Sequence, residues 1–177
     1  ELVAGKLNNY EIGDINGTVI RANDTCELGP ADYAVNDLSK LPLIYHDNSK
    51  YINSNFERSM VLPLETLRGC KNKCTYCLYC QNRLRFKPLK TVEQEIEFVC
   101  KSRAQHVRIC DSHFGGSYAR ASEILEMIKF YNRSNTEFYI YPDPEHVDNN
   151  YLALIRQANC KIISIGIESM DKLVTKS

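Results

Sequence analysis

From Met60 onward the apolar positions of the chain fall into two alternating rhythms. MVLPLETL, HVRIC, EFYIY and KIISIGI are short apolar runs of strand length, the last with nearly unbroken β-branched character. Between them, TVEQEIEFVCKSR places Val92, Ile96 and Val99 on one helical face, and ARASEILEMIKFYN repeats the spacing at Ala121, Ile124, Leu125 and Ile128. Thr91 with Gln94 reads as a capping box opening the first of these helices. NNYLALIRQAN forms a shorter helix and MDKLVTKS begins another, while Pro142 and Pro144 end the third strand. Strands alternating with helices predict an α/β fold of about four right-handed βα units around a buried parallel sheet. Four units are half of an eight-stranded barrel or two-thirds of a six-stranded one. The sequence ends as the fourth helix begins, so a piece of something larger is expected.

The first part of the chain has no such rhythm. TVI and LPLI are apolar islands between stretches rich in Asn, Asp, Gly and Pro, such as RANDTCELGPAD and HDNSKYINSN. Residues 1–56 are therefore expected to form an irregular linker or cap, and 57–177 the βα units.

Composition narrows the class. The chain has 177 residues, 44% apolar and 25% charged, enough for one core of ordinary size. Lys+Arg and Asp+Glu balance at 22 each, which gives no footprint for nucleic acid. There is no run of 18 apolar residues, and ELVAGKLNNYEIGD lacks the order of a signal peptide, so a soluble cytoplasmic protein is expected.

Eight cysteines change the picture. Four of them crowd into GCKNKCTYCLYC, between Gly69 and Cys80, directly after the first strand. Crowding of this kind suits thiolate ligands in a reducing compartment better than disulfides. In parallel α/β folds, functional loops lie at the carboxyl ends of strands, which is where this loop falls. Cys100, Cys110 and Cys160 each adjoin an apolar segment and are expected to be small buried hydrophobes; Cys26 sits in a polar stretch. Structural zinc would use two separated CxxC knuckles, which are not found. An iron–sulfur cube tolerates close spacing because its ligands bind different irons. Two triplets qualify. Cys74, Cys77 and Cys80 give CxxCxxC, as in ferredoxins, without the following fourth cysteine and proline. Cys70, Cys74 and Cys77 give CxxxCxxC with aromatic Tyr76 before the last cysteine, and would leave one iron open.

The second triplet resembles the hallmark of the radical S-adenosylmethionine (SAM) enzymes, CxxxCx-aromatic-C in the loop after the first strand of a partial barrel. ETLRGCKNKCTYC is similar to the opening motif of the cobalamin-associated branch. DINGTVIRAND and DLSKLPL resemble the connector after that branch's cobalamin domain, and LRFKPLKTVEQEIEFV, ICDSHFGGSYARASEIL and IGIES resemble its later segments. The resemblance implies a partial (β/α) barrel of the radical SAM type, with Cys70, Cys74 and Cys77 holding a 4Fe-4S cluster whose open iron takes SAM. It implies reductive cleavage of SAM to a 5′-deoxyadenosyl radical that modifies an unactivated carbon by methyl transfer or hydrogen abstraction, with epimerase chemistry a further option. Cobalamin, where used, would be bound by a domain outside this chain.

Carried over position by position, the resemblance sets Tyr76 against the adenine and Asp111, with Ser112 beside it, at the SAM ammonium. Glu168 falls at the ribose hydroxyls. The alternatives are a loop aromatic packed on its strand, a helix-capping aspartate and a salt-bridged glutamate. Asp111, His113 and Gly116 also match a DxHxxG cobalamin box, but that box belongs to a separate doubly wound domain with a later Ser where Ala158 stands; His113 reads as a polar loop residue near the SAM site. Cys80 is a shielded free thiol, an auxiliary-cluster ligand or a hydrogen-atom donor. Expected partners are a peptide or small-molecule substrate, a reductant such as flavodoxin or ferredoxin, and neighbouring domains, with neither nucleic acid nor membrane. The rival functions are a ferredoxin-like electron-transfer module and a structural zinc domain.

Overall fold

A computed structural model describes residues 19–22, 25–28, 35–43, 45, 61–72, 74, 76, 77, 83–102, 104–167 and 169. The chain divides into two compact units, Glu1–Asn36 and Asp37–Ser177. In the first, β1 (Val19–Ala22) and β2 (Thr25–Leu28) pair antiparallel with Ala22 opposite Thr25. A hairpin thus lies within the expected linker. Only Asn23 and Asp24 separate its strands, the loop length and residue types that tight hairpins use.

The second unit is built on a four-stranded parallel sheet of β3 (Val61–Leu64), β6 (His106–Ile109), β7 (Glu137–Ile140) and β8 (Cys160–Ile163), adjacent in that order. Leu62 pairs with Val107 and Val107 with Phe138, so the apolar positions of neighbouring strands share one face. Three helices connect the strands: α1 (Leu89–Lys101), α2 (Tyr118–Tyr131) and α3 (Asn149–Gln157). Their predicted stripes are the buried ones, with Val92, Ile96 and Val99 of α1 and Ala121, Ile124, Leu125 and Ile128 of α2 fully enclosed. They pack on Leu62, Leu64, Val107, Ile109, Phe138 and Ile140 of the sheet. Tyr45 stacks on Phe98 of α1, with ring centroids 6.1 Å apart, and its hydroxyl donates to the Pro63 carbonyl.

Three expectations need correcting. The Thr91 capping box does not form: α1 begins two residues earlier behind Pro88, whose fixed φ suits the entry to a helix, so Thr91 already lies within the first turn. The sheet is not buried on both faces. Its strands alternate, with Val61 and Arg108 exposed and Tyr139 half-buried on the face away from the helices. On β8, Ile162 and Ile163 are 53% and 39% exposed, because among the described residues this strand pairs only with β7. Cys100 and Cys160 are buried, and burial pushes both thiols up to about 12. Cys110 is exposed instead, since it stands one residue beyond β6 on the open face. MDKLVTKS lies outside the described residues apart from the adjoining Ser169. Among the described residues no helix is long and apolar enough to cross a membrane.

One ion pair is enclosed in this unit. Lys87, just before α1, donates through Nζ to both carboxylate oxygens of Glu95 at 2.9 and 2.7 Å, with the two side chains 5% and 3% exposed. Burial pushes the Glu95 carboxyl up, against the pull of Lys87. Removing one partner strands the other charge in the interior. Lys87→Met is expected to cost about 3–5 kcal/mol, whereas Lys87→Met with Glu95→Leu should recover most of that loss. Urea unfolding of the two variants beside the parent checks it; a double variant no more stable than the single would show that the pair stabilises through more than mutual neutralisation.

Candidate functional site

Beyond β3 the chain turns through Glu65 and Thr66 into β4 (Leu67–Arg68), which pairs antiparallel with β5 (Arg85–Phe86). This short ladder gathers the two ends of the cysteine loop, so the loop grows from a fixed base at the carboxyl end of the first sheet strand. Lys87 N donates to the Thr66 carbonyl at 3.0 Å. Arg120 of α2 donates through Nη2 to the Thr66 and Lys87 carbonyls at 3.3 and 2.6 Å, and lies 5.2 Å over the Phe86 ring. These contacts satisfy backbone acceptors that the two-residue ladder cannot reach.

Asp111, at the end of β6, is the centre of the base. Its Oδ1 accepts from Thr66 N at 2.7 Å and Leu67 N at 3.2 Å; its Oδ2 accepts from Thr66 Oγ1 at 2.5 Å and Gly115 N at 3.2 Å. Four donors fill the acceptor capacity of a carboxylate. The side chain is 4% exposed, and burial pushes its pKa up against those donors. Asp111 is therefore engaged as an anchor between strand ends, where a SAM-ammonium contact is expected. Gly115 and Gly116 follow with φ of +72° and +77°. A Cβ on Gly115 would stand 2.6 Å from Ala121 Cα, and one on Gly116 2.6 Å from the Phe86 ring. Both the backbone conformation and the close approach of α2 to the loop base require glycine here.

The loop leaves this base through Gly69, whose carbonyl accepts from Ser112 Oγ. Cys70 is half-buried; Asn72 N donates to its Sγ at 3.4 Å, and His113 Nδ1 lies 3.9 Å away. His113, expected as a polar loop residue, lies buried in the loop after β6, with Nε2 3.4 Å from the Gly116 carbonyl. Burial lowers its pKa and favours the neutral ring. Lys71 bonds Asp143 Oδ2 at 2.5 Å, with Glu145 at 3.7 Å, and so clasps the loop to the segment after β7. Burial pushes the Asp143 carboxyl up, but the bonds from Lys71 and Glu145 N hold it below its ordinary value. Phe114 N donates to the Tyr141 carbonyl at 2.6 Å, joining the ends of β6 and β7 beside it.

Cys70, Cys74 and Cys77 are in no disulfide, and Cys77 N donates to the Cys74 carbonyl at 3.0 Å. Cys70 and Cys77 line a cavity of about 780 Å³ on the open face of the sheet, together with Val61, Pro63, Arg108, Cys110, Asp111, Ser112, Tyr139 and Tyr141. Tyr76 is 66% exposed in the same loop. Cys80 and Glu168 lie outside the described residues. No three of His, Cys, Asp and Glu converge as ligands of a single metal ion among the described residues. A cube fits the donor set better than a lone ion: three cysteines outside any disulfide, on one tethered loop, can each meet a different iron.

Several residues of the site carry no sequence signal that singled them out. Thr66 and Arg120 find their partners in distant segments, Asp111 for the one and the Thr66 and Lys87 carbonyls for the other, and the partners Lys71 and Asp143 are likewise far apart in sequence. The Pro142-Asp143-Pro144 run was legible as a strand end, with no role expected for Asp143 or Glu145.

The sequence profile of the radical SAM superfamily matches residues 64–177. Among curated proteins nothing matches. The fold is similar to that of a radical S-adenosylmethionine methyltransferase, TsrM, from Kitasatospora setae, solved with tryptophan substrate and a SAM analog (aza-SAM); the match has a TM-score of 0.65 and 18% identity, and covers 97% of this chain and 36% of that one. TsrM solved with cobalamin and a [4Fe-4S] cluster matches with a TM-score of 0.64 and 16% identity, over 96% and 36%. The cobalamin-dependent S-adenosylmethionine radical enzyme OxsB matches with a TM-score of 0.64 and 17% identity, over 98% and 27%. The chain thus spans about a third of the length of these structures.

Asp111→Asn keeps the shape of the side chain but turns an NH2 group toward backbone donors. It is expected to cost about 2–3 kcal/mol, the range for losing hydrogen bonds to a charged group. Thr66→Val should cost less, and the two losses should not add, because Thr66 and Asp111 share one network. A thermal unfolding cycle over the three variants measures this; full additivity would refute the shared anchor.

Proposed function

The chain belongs to the radical SAM superfamily, and from that membership we propose that its cysteine loop holds a 4Fe-4S cluster and that the adjoining cavity binds SAM for reductive cleavage. The observation that carries this is the presence of Cys70 and Cys77 on the wall of one cavity, at the carboxyl end of the first parallel strand. When bound, the cluster and SAM supply a 5′-deoxyadenosyl radical for attack on an unactivated carbon, by methyl transfer or hydrogen abstraction.

The chain's own residues do the rest. Cys70, Cys74 and Cys77 are the ligands. Asn72 N donates to Cys70 Sγ and so helps to orient it. The ladder of β4 and β5 fixes where the loop starts, and Lys71 fixes its first turn against Asp143. Tyr76, exposed beside the cavity thiols, offers a ring for the adenine. Ser112 stands on the cavity wall, and Glu168 accepts from the ribose hydroxyls. The similarity to TsrM supports a methyl-transfer chemistry, and that to TsrM and OxsB a use of cobalamin held outside this chain, with a reductant protein such as flavodoxin or ferredoxin delivering the electron.

Anaerobic reconstitution with iron and sulfide analysis tests the ligand set. Cys70→Ala, Cys74→Ala and Cys77→Ala should each abolish stable assembly, since two thiolates retain a cube poorly, whereas Cys80→Ala should keep it. Loss of iron from Cys80→Ala with retention in Cys70→Ala would move the site to the ferredoxin-like triplet. Glu168→Gln should leave the cluster intact and weaken SAM binding by about 1–3 kcal/mol, the scale of a charge-assisted hydrogen bond. SAM titration followed by EPR of the reduced cluster reads it, and unchanged affinity would return Glu168 to a structural role.

A further inference from the structure

The cavity wall carries a cation that the reading above leaves unused. Arg108 projects from β6 on the open face of the sheet, its guanidinium carbon 5.0 Å from the Tyr139 ring centroid and 5.4 Å from that of Tyr141. Its Nη2 donates to the Tyr141 hydroxyl. Tyr139 donates to the same oxygen at 2.8 Å, and its own hydroxyl is 2.8 Å from Ser164 Oγ. A phenol oxygen that accepts twice retains its proton for a further acceptor. None of the described residues provides one. No Asp or Glu among them pairs with Arg108, and Asp111, the acid on the cavity wall, is saturated by its four internal donors. The wall therefore presents N–H and O–H donors and a positive charge to open volume. Aromatic packing fixes the planar guanidinium and strips part of its hydration, which suits bidentate capture of an oxyanion.

We propose that Arg108 and Tyr141 form a subsite for an oxyanion on the substrate, so that the molecule modified here bears a carboxylate or phosphate. The word substrate rests on the radical SAM reading; the subsite does not. Arg108 precedes Cys110 by two residues, which sets its backbone about 7 Å below the mouth of the sheet where the cysteine loop sits. The carboxylate of SAM itself is needed at the cluster, above that level. A substrate reaching in from the mouth can place a charged group on Arg108 and leave a carbon near the loop.

Saturation-transfer NMR on the cluster-free chain tests the subsite without any cofactor, using benzoate, phenyl phosphate and the neutral isostere benzamide as probes. At least one anion should bind, with benzamide weaker by about tenfold or more, and the preferred anion separates carboxylate from phosphate. Arg108→Gln should raise the anion Kd about tenfold, and Tyr141→Phe, which keeps the ring, a few-fold. Circular dichroism confirms that both variants remain folded. Equal binding of benzamide, indifference to Arg108→Gln and Tyr141→Phe, or failure of both anions to bind the parent each overturns the proposal. On the cluster-loaded chain, SAM affinity should be the same in Arg108→Gln; a matching loss there would give the oxyanion to the cofactor and overturn the assignment to substrate. Absence of a cluster would sink the radical SAM reading while leaving the NMR result standing.

Discussion

The carboxylate of Asp111 is the constraint on which the rest of the site depends. It joins the turn after the first sheet strand, the end of the second and the glycine pair that leads into α2, through four hydrogen bonds in a nearly water-free place. A buried carboxylate is costly, and it is tolerated here because the donors converging on it would otherwise be unsatisfied themselves. Each part requires the others. Without Gly115 in its left-handed conformation one donor is misdirected, and without the carboxylate the Thr66 turn has no acceptor. The outcome is that β4 starts in one place, and with it the cysteine loop.

From that fixed base the loop becomes steadily less confined. β4 and β5 hold its ends, Arg120 braces the ladder from α2, and Lys71 ties the first turn to Asp143. Further out, Cys74 and Cys77 are only half-buried and Tyr76 stands in solvent. This gradient suits a loop that has to wrap a cofactor. The contacts at the root set position, and the half-buried thiols leave room for what they hold. The neutral, buried His113 beside Cys70 continues the pattern, since it fills space next to a sulfur without adding charge.

What could be read from the sequence was what repeats. Helical stripes such as Val92, Ile96 and Val99 announce themselves by period, and both helices with such a stripe bury the residues so marked. The cysteine spacing was equally legible, because ligand motifs are local. Interactions between distant segments were not. Thr66 and Asp111 are 45 residues apart, and nothing in either neighbourhood says that one completes the other. Asp111 drew notice as an acid at a strand end, but sequence position could not say whether its lone pairs were free. The start of α1 was misjudged because Thr91 and Gln94 fit a capping pattern that the proline at position 88 pre-empts. The hairpin at residues 19–28 went unread because four-residue strands offer too few positions for alternation to stand out.

The alternation of the strands finally separates two kinds of residue that the uniform apolar runs had blended. On β3 and β6, Leu62, Leu64, Val107 and Ile109 face the helices and carry the core, while Val61, Pro63 and Arg108 face the cavity. Successive side chains of one strand therefore serve packing and chemistry in turn. An arginine between two buried β-branched residues, Val107 and Ile109, contributes nothing to the core that they build. Its neighbours on the open face are instead two tyrosines and a cavity. The same reasoning covers Cys110, which adjoins an apolar strand in sequence yet stands beside Cys70 and Cys77 in space. Adjacency along the chain marks the element to which a residue belongs; the side of the sheet on which it falls decides whether it holds the fold together or meets the ligand.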